Sequence, residues 1–137
     1  MTWGADDFRD AFVGIVQRSG RWRDLDPDAL LGRWNRFVVD CENGYPYDME
    51  DHFDDLTSRD SIERALNDPE LQDFSDMVVF RTRVEILDAR LRPLLIPDVF
   101  PKIEERAWWA RGLVRYARRK LVSELWDILG IEITEIE

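Results

Sequence analysis

Asp26-Pro27-Asp28-Ala29-Leu30-Leu31-Gly32-Arg33-Trp34-Asn35-Arg36-Phe37-Val38-Val39-Asp40-Cys41 is the stretch that decides the fold class. It opens on a capping acid and places proline at the first helical position, where a missing N–H costs nothing. A second acid, Asp28, then meets the positive end of the helix dipole. Behind this start Leu30, Trp34, Phe37, Val38 and Cys41 recur at steps of three and four, the apolar stripe of an α-helix. Asn43-Gly44 supplies the stop.

The same period recurs on both sides. Phe8, Phe12, Ile15, Val16 and Ser19 share one face of an earlier helix, capped by Thr2 or Asp6 and closed by Gly20. Two shorter helices follow the central one. Tyr45, Met49, Phe53 and Leu56 lie on one face of the first, and Thr57 or Ser58 caps a second that carries Ile62, Ala65 and Leu66 and breaks near Asn67-Asp68-Pro69. Ser75 opens a long helix with Phe80, Val84, Leu87, Leu91 and Leu94 in register. Pro93, Pro97 and Pro101 make residues 93–101 an extended connector. A last helix carries Leu113, Ala117, Leu121, Leu125 and Ile128 to Gly130, its start blurred by Gly112. The tail Ile131-Glu132-Ile133-Thr134-Glu135 alternates like a strand but has no evident partner. It reads as an extended tail against the helices, or as a pairing edge across a homodimer. The expectation is one all-α domain over residues 1–137, a bundle of five to six helices with a short extended C-terminal tail.

Composition narrows the class. The 137 residues are 45% hydrophobic and 12% aromatic, enough apolar surface to offset chain entropy, so disorder is excluded as the default. No apolar run exceeds four residues, far below the ~20 that span a bilayer. Met1–Asp7 lacks the basic flank and apolar stretch of a secretory signal, and the single cysteine forms no internal disulfide. A cytoplasmic protein without membrane contact is expected.

Charge is the most informative feature. The chain carries 29 acids and 19 bases, a net charge of −10. Residues 1–39 are balanced, 40–76 hold 13 acids and two bases, 77–120 hold five acids and 11 bases, and 121–137 hold five acids and no base. The chain therefore has an acidic belt and a basic pair of helices. Within the belt, Asp48, Glu50, Asp51, Asp54 and Asp55 are the candidate partner-binding residues, with Asp48, Asp51 and Asp55 presented outward beside a buried Met49/Phe53 stripe. Closely spaced carboxylates speed association with a basic protein. His52 joins Asp48, Asp51 and Asp55 on one helix side, but it is the only histidine, the spacing matches no EF-hand, and neither His-Glu-x-x-His nor a pair of Glu-x-x-His elements is present, so no metal is expected.

Other chemistry finds no footing. Cys41 lies on an apolar stripe at a helix C-terminus, where the dipole opposes a thiolate, so it reads as structural. Gly-rich phosphate loops and the nucleophile elbow are absent. No catalytic residue and no cofactor is assigned. Arg111, Arg115, Arg118 and Arg119, interleaved with Trp108, Trp109 and Tyr116, form a basic patch on the expected last helix and make weak nucleic-acid binding a third reading. The overall charge opposes it, and the arginines are expected to answer the protein's own acids with their stems on tryptophan faces.

In size, acidity and helicity the chain resembles small bacterial proteins that neutralise a basic partner, the immunity proteins and nuclease inhibitors. That resemblance rests on type and carries over no residue. It implies a non-enzymatic interaction protein that docks a positively charged partner through residues 40–76. The alternative is a helical enzyme or small-ligand protein with an aromatic pocket.

Overall fold

The computed structural model describes residues 6–137. Among them the chain is an all-α bundle of six helices with four two-residue strands. No helix among the described residues is long and apolar enough to cross a membrane.

Helix α1 (Asp6–Arg18) buries Phe8, Phe12, Ile15 and Val16, the expected stripe. Gly20 follows at φ +97°, the left-handed position a C-terminal glycine supplies. Thr2 and the Asp6 side chain lie outside the described residues. Helix α2 (Pro27–Glu42) starts as read: the Asp26 carboxylate accepts from the Ala29 N–H at 2.8 Å, with Pro27 in the first turn. It is the hub of the bundle, packed on both α3 and α4.

Helix α3 (Met49–Asn67) corrects the expectation of two helices: it runs unbroken through Thr57 and Ser58. Both hydroxyls turn back onto their own helix, Thr57 Oγ1 donating to the Asp54 carbonyl at 2.6 Å and Ser58 Oγ to that of Asp55 at 2.7 Å. A hydroxyl satisfied this way is compatible with a helix interior. Tyr45 lies outside α3 altogether, fully buried and bridged to Ala117. A 3₁₀ turn (Leu71–Asp73) leads into α4 (Asp76–Leu91), which buries Phe80, Val84, Leu87 and Leu91.

The expected last helix is the larger correction. After a 3₁₀ turn at Arg92–Leu94, β1 (Leu95–Ile96) pairs antiparallel with β2 (Leu113–Val114), with Leu95 opposite Val114. Helix α5 is only Trp108–Arg111 and stops at Gly112, where a Cβ would sit 3.1 Å from the Ile96 carbonyl oxygen. Strand β3 (Tyr116–Ala117) pairs in parallel with β4 (Thr134–Glu135), so the tail finds its partner within the same chain. Leu113 and Ala117 are buried as expected, but from strands. A spacing of four puts two residues on one side of either a helix or a strand, so it did not separate the two. Helix α6 (Arg119–Glu124) passes into one wide π turn (Leu125–Leu129) ended by Gly130 at φ +66°. That extra residue per turn shifts the stripe, and Ile128 emerges 60% exposed.

The core is aromatic, with a charged pin through it. Trp34 is fully buried and stacks on Phe37 at 5.2 Å. Its indole N–H donates to Asp88 at 3.0 Å, and Asp88 also accepts from Arg59 at 2.9 Å. Arg59 in turn binds Glu63 at 2.9 Å and lies 4.3 Å over the Trp109 ring, whose N–H donates to Asp60 at 2.8 Å. This chain ties α2, α3, α4 and α5 together. Its value lies in geometry, because a buried ion pair gains little net energy but is costly to halve.

Candidate functional site

One face of α2 and one face of α3 flank an open cavity of about 220 Å³. Arg33, Arg36, Phe37 and Asp40 reach it from α2 at helical spacing. Asp51, Asp54 and Asp55 reach it from α3, and Tyr47 adds to the lining from the loop before α3. Four of these eight residues are carboxylates, and they divide into two kinds.

Asp54 and Asp55 are already answered. Asp54 accepts from Arg23 at 2.8 Å and from Arg33 at 3.1 Å, while Asp55 accepts from Arg33 at 3.1 Å and from the Tyr45 hydroxyl at 2.7 Å. Burial and that bond to Asp55 push the Tyr45 hydroxyl well above its usual range. Asp55 is half-buried, so the expectation that it points to solvent is corrected: its carboxylate joins α2 to α3.

Asp40 and Asp51 have no cation within ion-pair distance among the described residues. Burial raises the Asp40 carboxyl above the usual carboxylate range and the charge of Asp55 adds to it, while Arg36, four residues back on α2, offsets part of the rise. Asp51 is raised too, by desolvation and then by Asp48, with Asp55 and Glu50 contributing. These carboxylates hold their charge against their surroundings, and a cation arriving in the cavity would relieve both.

The remaining acidic candidates stand at the margin. Asp48 caps α3, accepting from the Asp51 N–H at 2.8 Å, and that bond with the nearby Lys120 ammonium (3.8 Å) holds its carboxyl below the usual range. Glu50 is exposed on the first turn of α3.

His52 departs furthest from expectation. It is 1% exposed and turned inward, its ring edge-on to Phe37, Tyr45 and Phe53 at 5.2–5.5 Å, away from the acids. Both ring nitrogens are buried without a hydrogen-bond partner, and burial pulls the imidazole pKa down to about 4. It backs the cavity wall as a neutral ring. Among the described residues no three His, Cys, Asp or Glu side chains converge as a metal site would require. Cys41 is fully buried, and burial, with Asp40 next, pushes its thiol far up, leaving it unreactive as read.

The basic patch does not form one helical face, because α5 ends at Gly112. Arg111 is committed to Asp98 at 2.9 Å and to the Ile103 carbonyl at 2.7 Å, and Arg118 to the Asn43 carbonyl at 3.0 Å. Arg115 sits between β2 and β3, and Arg119 is exposed at the start of α6. The tryptophans are covered by other arginines, Trp108 by Arg92 at 3.9 Å and Trp109 by Arg59.

Sequence reasoning missed Asp40, Arg33, Arg36 and Tyr47. The available signal was the i, i+3, i+7 spacing of Arg33, Arg36 and Asp40 on the polar side of α2, which places them together on the flank facing α3. No protein family, curated protein or solved structure matches the chain.

Proposed function

We propose that this is a non-enzymatic, acidic interaction protein of the immunity or inhibitor type that docks a positively charged protein partner in the cytoplasm. Asp40 and Asp51 would receive a lysine or arginine side chain of that partner in the α2–α3 cavity, and Glu50 would extend the acidic rim. One observation carries the reading: Asp40 and Asp51 face one cavity, neither forms an ion pair among the described residues, and Arg36 acts on Asp40 only from beyond ion-pair distance. Complementary charge of this kind sets on-rate and specificity more than raw affinity. The dispersal of Arg111, Arg115, Arg118 and Arg119 supports ranking nucleic-acid binding last.

The test uses a fluorescent hexa-arginine peptide, titrated by anisotropy at two ionic strengths. Binding should weaken as salt rises, and Asp40→Asn/Asp51→Asn should weaken it by about tenfold at low salt, the equivalent of ~1.4 kcal/mol. Equal affinity for the variant and the parent overturns the site. A single-stranded DNA of similar charge should show no binding at either salt.

A further inference from the structure

A second surface lies at the other end of the chain, along the C-terminal strand. A groove of about 920 Å³ runs beside residues 132–135, walled by Tyr116 of β3, α6 and the π turn that follows it. Trp126 stands 60% exposed in that wall, and Tyr116 is 38% exposed. Two solvent-facing aromatics on one groove give it an apolar surface of the kind that contact sites use.

Strand β4 is also an open edge. The Thr134 N–H donates to the Arg115 carbonyl at 2.9 Å and the Ile136 N–H to that of Ala117 at 2.8 Å, so the even-numbered amides face β3. Alternation turns the Ile133 and Glu135 amides away from β3, with Glu135 exposed and Ile133 7% exposed as part of the core. The opposite side of β3 is taken by Tyr45, which leaves β4 as the free edge of this small sheet. An unpaired edge is a template for another strand.

Charge selects the occupant. Asp127, Glu132 and Glu135 line the groove against one base, Arg115. A second copy of this chain would lay another tail with three acids, Glu132, Glu135 and Glu137, and no base along the same seam, which like-charge repulsion disfavours. We propose that β4 takes, as an added strand, an extended segment of a protein partner bearing lysine or arginine at alternate positions. Outward backbone groups of Ile133 and Glu135 pair with it, Trp126 and Tyr116 cover its apolar side chains, and Glu132, Glu135 and Asp127 meet its cations. This rests on the basic-partner reading and adds a second contact to it.

The probe is a capped octapeptide of alternating lysine and valine, titrated into the ¹⁵N-labelled full chain and followed by amide NMR. The Ile133 and Glu135 amides should shift and exchange with solvent about tenfold more slowly when bound. N-methylation at every second peptide residue should abolish the effect by removing strand hydrogen bonds. Glu132→Gln/Glu135→Gln should weaken binding about fivefold, as loss of two exposed pairs predicts. An alternating glutamate–valine peptide should not bind. Shifts confined to the Asp40 and Asp51 region, or binding indifferent to N-methylation, overturn the strand-addition proposal while leaving the cavity reading intact. Shifts at Ile133 and Glu135 that persist in Asp40→Asn/Asp51→Asn support it independently, and no shift anywhere rejects it.

Discussion

Replacing His52 by leucine should flatten the acid limb of the stability profile. The imidazole is enclosed by Phe37, Tyr45 and Phe53, has no hydrogen-bond partner, and is held neutral with a pKa near 4 against 6.5 for the free side chain. Between those values the unfolded chain binds a proton that the folded chain refuses. Stability therefore falls as pH drops through 6.5 and levels off below about 4. At 1.36 kcal/mol per unit the full loss is about 3 kcal/mol, of which about 2 has gone by pH 5. Other groups titrate in the same window, and Asp40, whose pKa is raised on folding, acts in the opposite direction, gaining stability as pH falls. The double difference cancels them: urea unfolding of the parent and of His52→Leu at pH 7 and pH 5, compared as changes between the two pH values. The parent should lose about 2 kcal/mol more than the variant. Parallel losses would show that His52 is protonated or hydrogen-bonded in the folded protein, and the buried neutral ring would be wrong.

Other substitutions probe the frame around the cavity. Trp34→Ala should cost about 3–5 kcal/mol in thermal or chemical unfolding, and Asp88→Ala about 1–3 kcal/mol by taking one of two carboxylates from Arg59 and the acceptor from the Trp34 N–H. Because both act on one network, the double variant should lose less than the sum, and additive losses would break the link. Gly44→Ala forces a side chain onto φ +88° with its Cβ 3.0 Å from that of Ile136. It should cost about 1–2 kcal/mol, with faster hydrogen exchange at Thr134 and Ile136, and unchanged exchange there would contradict the close approach. Asp55→Asn should destabilise by about 1–3 kcal/mol, since it weakens bonds to Arg33 and Tyr45, whereas Asp51→Asn should leave the melting temperature unchanged or slightly higher. Equal melting shifts would merge two carboxylates that the structure separates.

Legibility in the sequence followed the physics of each signal. Helix α2 could be read to within a residue because its cap, proline, acid and apolar stripe agree, and Trp34 was placed in the core for the same reason. The break expected at Thr57-Ser58 failed because a hydroxyl that can cap a helix can equally bond back within one. The strands around Arg115 were hidden because Leu113 and Ala117 satisfy both periods, and because β4 finds its partner some 18 residues upstream in β3. In the site, the acidic belt was visible as charge, but the difference between satisfied and unsatisfied acids was not. Asp54 and Asp55 are neutralised by Arg33 and Arg23, which lie more than 20 residues away in sequence. Neutralising Asp51, Asp54 and Asp55 together should therefore destabilise the fold.

The central claim is that Asp40 and Asp51 await a cation, and carboxyl-carbon NMR titration measures this directly. In the free protein the carboxyl groups of Asp40 and Asp51 should titrate above the ordinary aspartate range, with Asp48 below it as an internal reference. With saturating hexa-arginine both raised values should drop toward or below the ordinary range, and peptide affinity should correspondingly strengthen as pH rises through the free-state values. Free-state values at the ordinary position, or raised values that the peptide leaves unmoved, would contradict the account.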